Sequence, residues 1–331
     1  MKQYEHYIGV DVSKKQIDVA CIHNDMIEHC VFTNDASGMK LLEQWLLKLP
    51  DTKPESILFC MEATGLYCFT LTQFLVRKQI DIWIENAVQI KRSMGITRGK
   101  NDKIDAIRIA EYASKHTERL RLWKPMSTTL EKIKNLATVR ERLVETIKKL
   151  HTPIKEMEAT GQSGMAKMLE KSIKKTLTAI DKDLSNIEVQ IITILNEDEE
   201  LSHLYKLITS VVGIGFVTAI NLIIHTKGFT ILTDTRKLAC YCGVAPFEYS
   251  SGSSIRGKTK VHYMANKKLK CNLHMASLTA VKLDNDLKKY YERKVAEGKS
   301  KMSVLNAVRN KLLARVIAVV NKKEFYVNNA A

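Results

Sequence analysis

The sequence predicts an N-terminal α/β domain, a pair of long helices and a mainly helical C-terminal domain. Three patterns carry that expectation. Strand-length apolar runs alternate with amphipathic stretches of helix length over roughly the first 125 residues. Leucines then recur at seven-residue spacing among charged residues. The last segment of the chain is basic and helical in pattern.

Tyr7 to Val12 and Gln16 to Ile22 read as two strands of a hairpin. Polar Ser13-Lys14-Lys15 joins them, and Ile17, Val19 and Cys21 alternate along the second. Val31 to Thr33 adds a third strand. Asn34, Asp35 and Ser37 offer cap chemistry for a helix carrying Leu41, Leu42, Trp45 and Leu46. Ile57 to Met61 is a strand of the buried type, followed by a helix from about Leu66 to Lys78 and a strand at Ile80 to Ile84. With a further helix beginning near Asp102, the order is β-β-β-α-β-α-β-α, a sheet of mixed direction.

From about Thr129 the period is that of long helices, through Leu136, Leu143 and Leu150 and then Leu177, Ile180, Leu184, Ile187 and Ile191. Pro153 and the stretch Gly161 to Gly164 interrupt the run, which suggests an antiparallel helical hairpin. As a coiled coil it would dimerise the chain; packing onto its own domain is the alternative. Leu207 to Ile224 is uncharged, but Thr209, Ser210, Gly213, Gly215, Thr218 and Asn221 make it a soluble helix-turn-helix element rather than a membrane span. Cys242 to Lys260 reads as loop, most flexible at 250–254, and basic helices follow. The expected domains are 1–125, 126–200 and 201–331.

Charge narrows the function. The chain holds 52 Lys and Arg against 36 Asp and Glu, a formal +16. Residues 1–90 carry 8 basic and 12 acidic side chains, whereas residues 251–331 carry 18 basic and 5 acidic. Such a tail suits a polyanion, nucleic acid foremost, although a solvated helical surface would have the same composition. The acidic front half would repel phosphate unless its carboxylates hold cations. The start of the chain carries no signal-peptide pattern, since its apolar run is broken by Asp11. The seven scattered cysteines form neither a disulfide framework nor a zinc pattern, as expected of reduced thiols in a cytosolic protein.

Four acids stand out. Asp11 lies inside the apolar run Ile8-Gly9-Val10-Asp11-Val12, where a carboxylate is costly unless a cation or donor compensates it. Glu62 follows the strand ending at Met61, at the carboxyl edge where open sheets place their sites. Asp102 and Asp105 are three apart at a helix start and so share a face. Singly, Asp102 would be a helix cap and Asp11 a satisfied buried acid. Together they are the hard oxygen ligands of a two-metal phosphoryl-transfer site.

Ile8-Gly9-Val10-Asp11-Val12-Ser13-Lys14, Met61-Glu62-Ala63-Thr64-Gly65 and Lys100-Asn101-Asp102-Lys103-Ile104-Asp105-Ala106 resemble, in order and spacing, the motifs of the DEDD-type transposases of the IS110 insertion-sequence family. Ser210-Val211-Val212-Gly213-Ile214-Gly215 is similar to that family's helix-hairpin-helix element, in which a glycine turn admits a phosphate to the backbone. Gly243-Val244-Ala245-Pro246 followed by Ser251-Gly252-Ser253-Ser254-Ile255-Arg256-Gly257 resembles its proline-then-Ser-Gly signature. The chain departs from the family at Tyr263-Met264-Ala265, where members often have Lys-x-Gly.

The resemblance implies a RuvC-like domain of ribonuclease-H fold and a C-terminal transposase domain. It implies two Mg²⁺ on Asp11, Glu62, Asp102 and Asp105, with Ser251 as nucleophile forming a covalent phosphoserine on DNA. The residues alone leave Ser250, Ser253 and Ser254 as competitors for that role. A serine delivered by a neighbouring subunit implies at least a homodimer, with pairing of dimers into tetramers left open. The family also uses a non-coding bridge RNA that pairs with donor and target DNA. Arg92, Arg98, Lys100, Arg256, Lys258 and Lys260 would then be phosphate contacts, with Gly213 and Gly215 at the glycine turn. The expected setting is the cytoplasm of a bacterium or archaeon, at the nucleoid. Two rivals share these features: a RuvC-like nuclease or junction resolvase in which water attacks, and a non-catalytic nucleic-acid-binding protein.

Overall fold

The computed structural model describes residues 2–50, 52–63, 65–95, 99, 101–251 and 255–327; of residues 248–251, 255, 256 and 258 only the backbone is described. The chain forms two compact units, Met1–Pro125 and Met126–Ala331.

The first unit runs β1 (His6–Val12), β2 (Gln16–His23), β3 (Met26–Thr33), α1 (Ala36–Leu46), β4 (Ile57–Glu62), α2 (Phe69–Arg77), β5 (Asp81–Glu85), α3 (Ala87–Ser93) and α4 (Asp102–Lys115). Its single sheet has the order β3-β2-β1-β4-β5. β2 is antiparallel to both neighbours, whereas β1, β4 and β5 are parallel. The third strand starts at Met26, five residues before the expected Val31. It is an edge strand, and exposed Met26, Ile27 and Glu28 give it no hydrophobic alternation to read. The helix expected from Leu66 begins as a 3-10 turn at Gly65–Cys68.

Alternation along β1 divides its side chains between two cores. Ile8, Val10 and Val12 join Phe59 and Met61 of β4 under Leu42 of α1 and Leu71 of α2. On the other face Leu58, Cys60 and Trp83 meet Ile109, Tyr112 and Ala113 of α4. Gly9 lies on that second face. A Cβ there would come within 2.2 Å of the Ala106 carbonyl oxygen and the Ala110 nitrogen, so the α4 backbone rests directly on β1.

The second unit contains α5 (Thr128–Ala159), α6 (Ser163–Asn196), α7 (Glu199–Thr209), α8 (Phe216–His225), α9 (Thr235–Tyr241), β6 (Phe247–Ser251), β7 (Ile255–Lys260), α10 (Lys267–Leu283), α11 (Asn285–Ala296) and α12 (Lys301–Lys322). Its core joins Ile133, Ile191 and Leu195 of the long helices to Leu222, Leu273, Leu312 and Val316. Asp284, fully buried, caps α11 by accepting from the Leu287 N–H at 2.9 Å and receives Arg315 Nη1 at 2.6 Å, so its charge is doubly compensated.

Two expectations are corrected here. Pro153 does not interrupt the first long helix but lies inside α5; only the glycine end of the expected interruption breaks the run, with the turn at Thr160–Gln162. The stretch 242–260 is not all loop. β6 and β7 pair antiparallel, Phe247 with Lys260 and Ser251 with Ile255, and its polar composition hid that ladder. Among the described residues no helix is long and apolar enough to cross a membrane.

Gly9→Ala must push α4 off the sheet. It should lower unfolding free energy by about 3 kcal/mol in urea titration, while Gly215→Ala, which has open space around its Cβ, should cost well under half of that.

Candidate active site

β1 and β4 run parallel with Val10 beside Met61, so the next residues, Asp11 and Glu62, end at the same carboxyl edge. Asp11 is two residues beyond Gly9 and faces α4 as Gly9 does. Because Gly9 sits at the Ala106–Ala110 level, one helical turn separates that contact from Asp102. The strand and the helix thus bring the N-terminus of α4 to Asp11. Asn101, not Asp102, caps that helix, accepting from the Ile104 N–H at 2.7 Å, which leaves Asp102 and Asp105 in the first turn without capping duty.

The electrostatics confirm the proximity. Burial pushes the Asp11 carboxyl up to about 6, and the negative charges of Asp102, Asp105, Glu62 and Asp18 push in the same direction. Asp105 is held by Arg108 Nη1 at 3.2 Å, and the same nitrogen donates to the Gly99 carbonyl at 3.1 Å. Among the described residues no group of three or more His, Cys, Asp or Glu is close enough to hold a metal ion as it stands. Asp105 is engaged by its arginine instead.

Two further acids share this edge and were not singled out in the sequence. Asp18 pairs directly across from Asp11 and accepts from the His29 Nε2–H at 2.9 Å. Glu85 pairs across from Glu62, accepting from the Asn86 N–H at 2.7 Å and from Tyr112 Oη at 3.3 Å. Their partners occupy them. The one sequence signal was a carboxylate at an alternating position on each flanking strand.

In the second unit the glycine turn between α7 and α8 splits its expected roles. Gly213, at φ +94°, packs against α10, where a Cβ would meet the Ala276 carbonyl oxygen at 2.6 Å. Gly215 is exposed at the N-terminus of α8 and leaves it without a side-chain cap. Ser251 is the last residue of β6. Its hairpin is fixed at the root: the Asn266 N–H donates to the Tyr241 carbonyl at 2.7 Å, and Tyr241 Oη bonds His225 Nδ1 at 3.0 Å. At the departure from the family pattern, the Ala265 methyl lies opposite Gly243, where a second Cβ would come within 2.8 Å. Arg92 and Lys260 are exposed. Arg98, Lys100, Thr64, Ser253 and Ser254 lie outside the described residues, as do the side chains of Ser250, Ser251, Arg256 and Lys258.

A carboxyl raised to about 6 binds its proton more tightly in the folded chain than in the unfolded one, where it titrates near about 4. Folding is therefore favoured by Asp11 at low pH, and that contribution is lost as pH rises from about 4 through about 6. In metal-free buffer, Asp11→Asn should flatten this limb of the curve of Tm against pH and raise Tm at pH 7. An unchanged profile would mean that the acids do not face one another.

Known proteins resemble this chain in both of its units. Residues 8–157 match the DEDD-type IS110 transposase family, described as a transposase. Residues 205–292 match the transposase family described as IS116/IS110/IS902. The chain is 27% identical over 320 residues to the pilin gene-inverting protein of Moraxella bovis, covering 96% of each chain. Its Moraxella lacunata counterpart is similar to the same extent. An IS110 uncharacterized 43.6 kDa protein of Streptomyces coelicolor is 27% identical over 164 residues, 50% of this chain and 39% of that one. The acids of the first unit and the glycine turn and Ser-Gly segment of the second fall in the two matched regions, and the chain belongs to the IS110 family of transposases, enzymes of DNA recombination.

Proposed function

We propose that this chain cuts and rejoins DNA through a covalent phosphoserine, with Ser251 attacking the scissile phosphate under the control of Asp11, Glu62, Asp102 and Asp105. One observation carries the reading. Acids from two neighbouring strands and one helix N-terminus gather at a single sheet edge, and the charges acting most strongly on Asp11, those of Asp102, Asp105, Glu62 and Asp18, are all negative. An edge of that kind is unfavourable by itself and becomes favourable around hard cations. The strand order β3-β2-β1-β4-β5, with β2 alone antiparallel, supports reading the first unit as RuvC-like.

The donor types suit a divalent metal: all four are carboxylates, and they would have to draw together, with Asp105 exchanging Arg108 for the ion, because among the described residues no three such groups stand close enough to hold one. Asp11, Glu62, Asp102 and Asp105 would hold Mg²⁺, two ions in the reading adopted here, which when bound supplies Lewis-acid polarisation of the phosphate and neutralises developing charge. The protein's part is placement. α4 carries two of the acids on one turn, and β1 and β4 fix the other two on a rigid sheet. The Ser251 oxygen forms a bond to phosphorus and gives up its proton, while the bond from phosphorus to the leaving deoxyribose oxygen breaks and that oxygen is protonated. The phosphodiester energy stays in phosphoserine, so joining to another strand needs no ATP. The two Moraxella relatives are named for inverting a pilin gene, an outcome that such exchange would give. We further propose that a bridge RNA chooses the sites, that the basic second unit holds its backbone, and that the serine comes from a neighbouring copy of at least a dimer.

The test is to incubate the protein with Mg²⁺, the non-coding RNA of its element and labelled DNA, and to look for label on denatured protein. Ser251→Ala should remove the adduct altogether. Asp11→Ala and Asp102→Ala should each lower strand cleavage about a thousandfold or more. Cleavage that persists in Ser251→Ala without any adduct would make water the nucleophile and overturn the proposal.

A further inference from the structure

Beside the acids the first unit exposes a surface with no packing role. The turn after β4 shows Leu66, Tyr67 and Phe69 to solvent, at 84%, 47% and 55% exposure, three large apolar side chains within four residues. Single exposed apolar residues are ordinary; a cluster on one turn is not. The neighbouring turn, between β1 and β2, shows Lys14 and Lys15, both exposed.

These turns are held together by one side chain. Asn34 Nδ2 donates to the Ser13 carbonyl at 2.9 Å and to the Tyr67 carbonyl at 2.9 Å, while the Asn34 N–H donates to the Lys15 carbonyl at 2.9 Å. Among the described residues the Asn34 Oδ1 is buried without a partner, so the joint is maintained at a cost. A cationic turn and an apolar turn are thereby fixed side by side. They lie at the sheet edge where β1 ends one residue past Asp11 and β4 ends at Glu62.

We propose that Lys14, Lys15, Leu66, Tyr67 and Phe69 form a grip for single-stranded nucleic acid, the bases next to the cut lying on the apolar turn and the backbone on the lysines. Charge selects this occupant. An acidic edge repels the phosphates of a strand it must hold, so attraction has to come from the bases, with cations set to one side. Stacking is tolerant of sequence, as a strand chosen by other means requires. An undistorted duplex hides its base faces, so the grip favours an opened strand. That a strand must be held at this edge, and that it is the one being cut, rest on the proposal above; the binding and crosslinking readouts do not.

The experiment uses the full chain with Ca²⁺ in place of Mg²⁺ and a short single-stranded DNA carrying 4-thiothymidine. Photocrosslinks should map to residues 66–69. Leu66→Ala/Tyr67→Ala/Phe69→Ala should weaken binding about tenfold with the slope of log affinity against log salt unchanged. Tyr67→Phe should bind as the parent does. Lys14→Ala/Lys15→Ala should instead flatten the salt slope by about 1.4. The proposal falls if the alanine triple variant binds the strand normally and no crosslink reaches this turn. It also falls if that variant changes only the sedimentation of the protein, which would assign the surface to a second copy. No readout depends on cleavage, so failure of the phosphoserine chemistry would leave this result standing, and the reverse holds as well.

Discussion

The close approach of α4 to β1 at Gly9 is the constraint on which the first unit depends. Two backbones meet where any side chain would separate them. That contact sets the depth of the helix on the sheet and its position along the strand, and hence how near Asp102 and Asp105 come to Asp11. The apolar surroundings are ordinary. What is unusual is that the packing concentrates charge of one sign, so the stability supplied by Leu58, Cys60, Trp83 and Tyr112 beneath is partly offset at the edge above. The fold holds a local electrostatic conflict at that edge.

Much of this was legible in residues. The β1–β2 hairpin shows in the alternation of Ile17, Val19 and Cys21, and β4 in an unbroken apolar run, because buried strands impose burial on their sequence. β3 was half hidden, since an edge strand imposes little. The acids were recognisable because a carboxylate at Asp11 contradicts its neighbours. Asp18 and Glu85 were not, because each looks like a solvent-facing residue until strand register places it opposite Asp11 or Glu62. The capping role of Asn101 was also out of reach, as Asn and Asp carry the same signal at a helix start. The β6–β7 ladder was missed because serine and glycine carry no burial pattern, although its roots are set by the contacts of Tyr241, Asn266 and His225.

The second unit positions its serine segment differently from the way the first positions its acids. Its serine segment is a two-stranded ribbon projecting from helices, and a ribbon of that size is not stable without support. Support comes from below. Asn266 caps α10 through its Oδ1, accepting from the Leu269 N–H at 2.9 Å, and at the same time closes the ribbon through its backbone N–H. Gly243, at φ +65°, lets the incoming strand pass the Ala265 methyl. The ribbon therefore leaves the helical body in a defined direction.

Pro153 has a mechanical meaning for the long pair α5 and α6. It offers no N–H to the Lys149 carbonyl, and its ring crowds that carbonyl, so one rung of the α5 ladder is missing. Toward the domain core, Ile133 and Ala137 pack against Ile187 and Ile191 and keep the pair stiff. Beyond the proline, Ile154 of α5 and Ala166 of α6 are buried and α6 runs unbroken to the closing turn at Gly161, so continuity past the missing rung is carried by the partner helix.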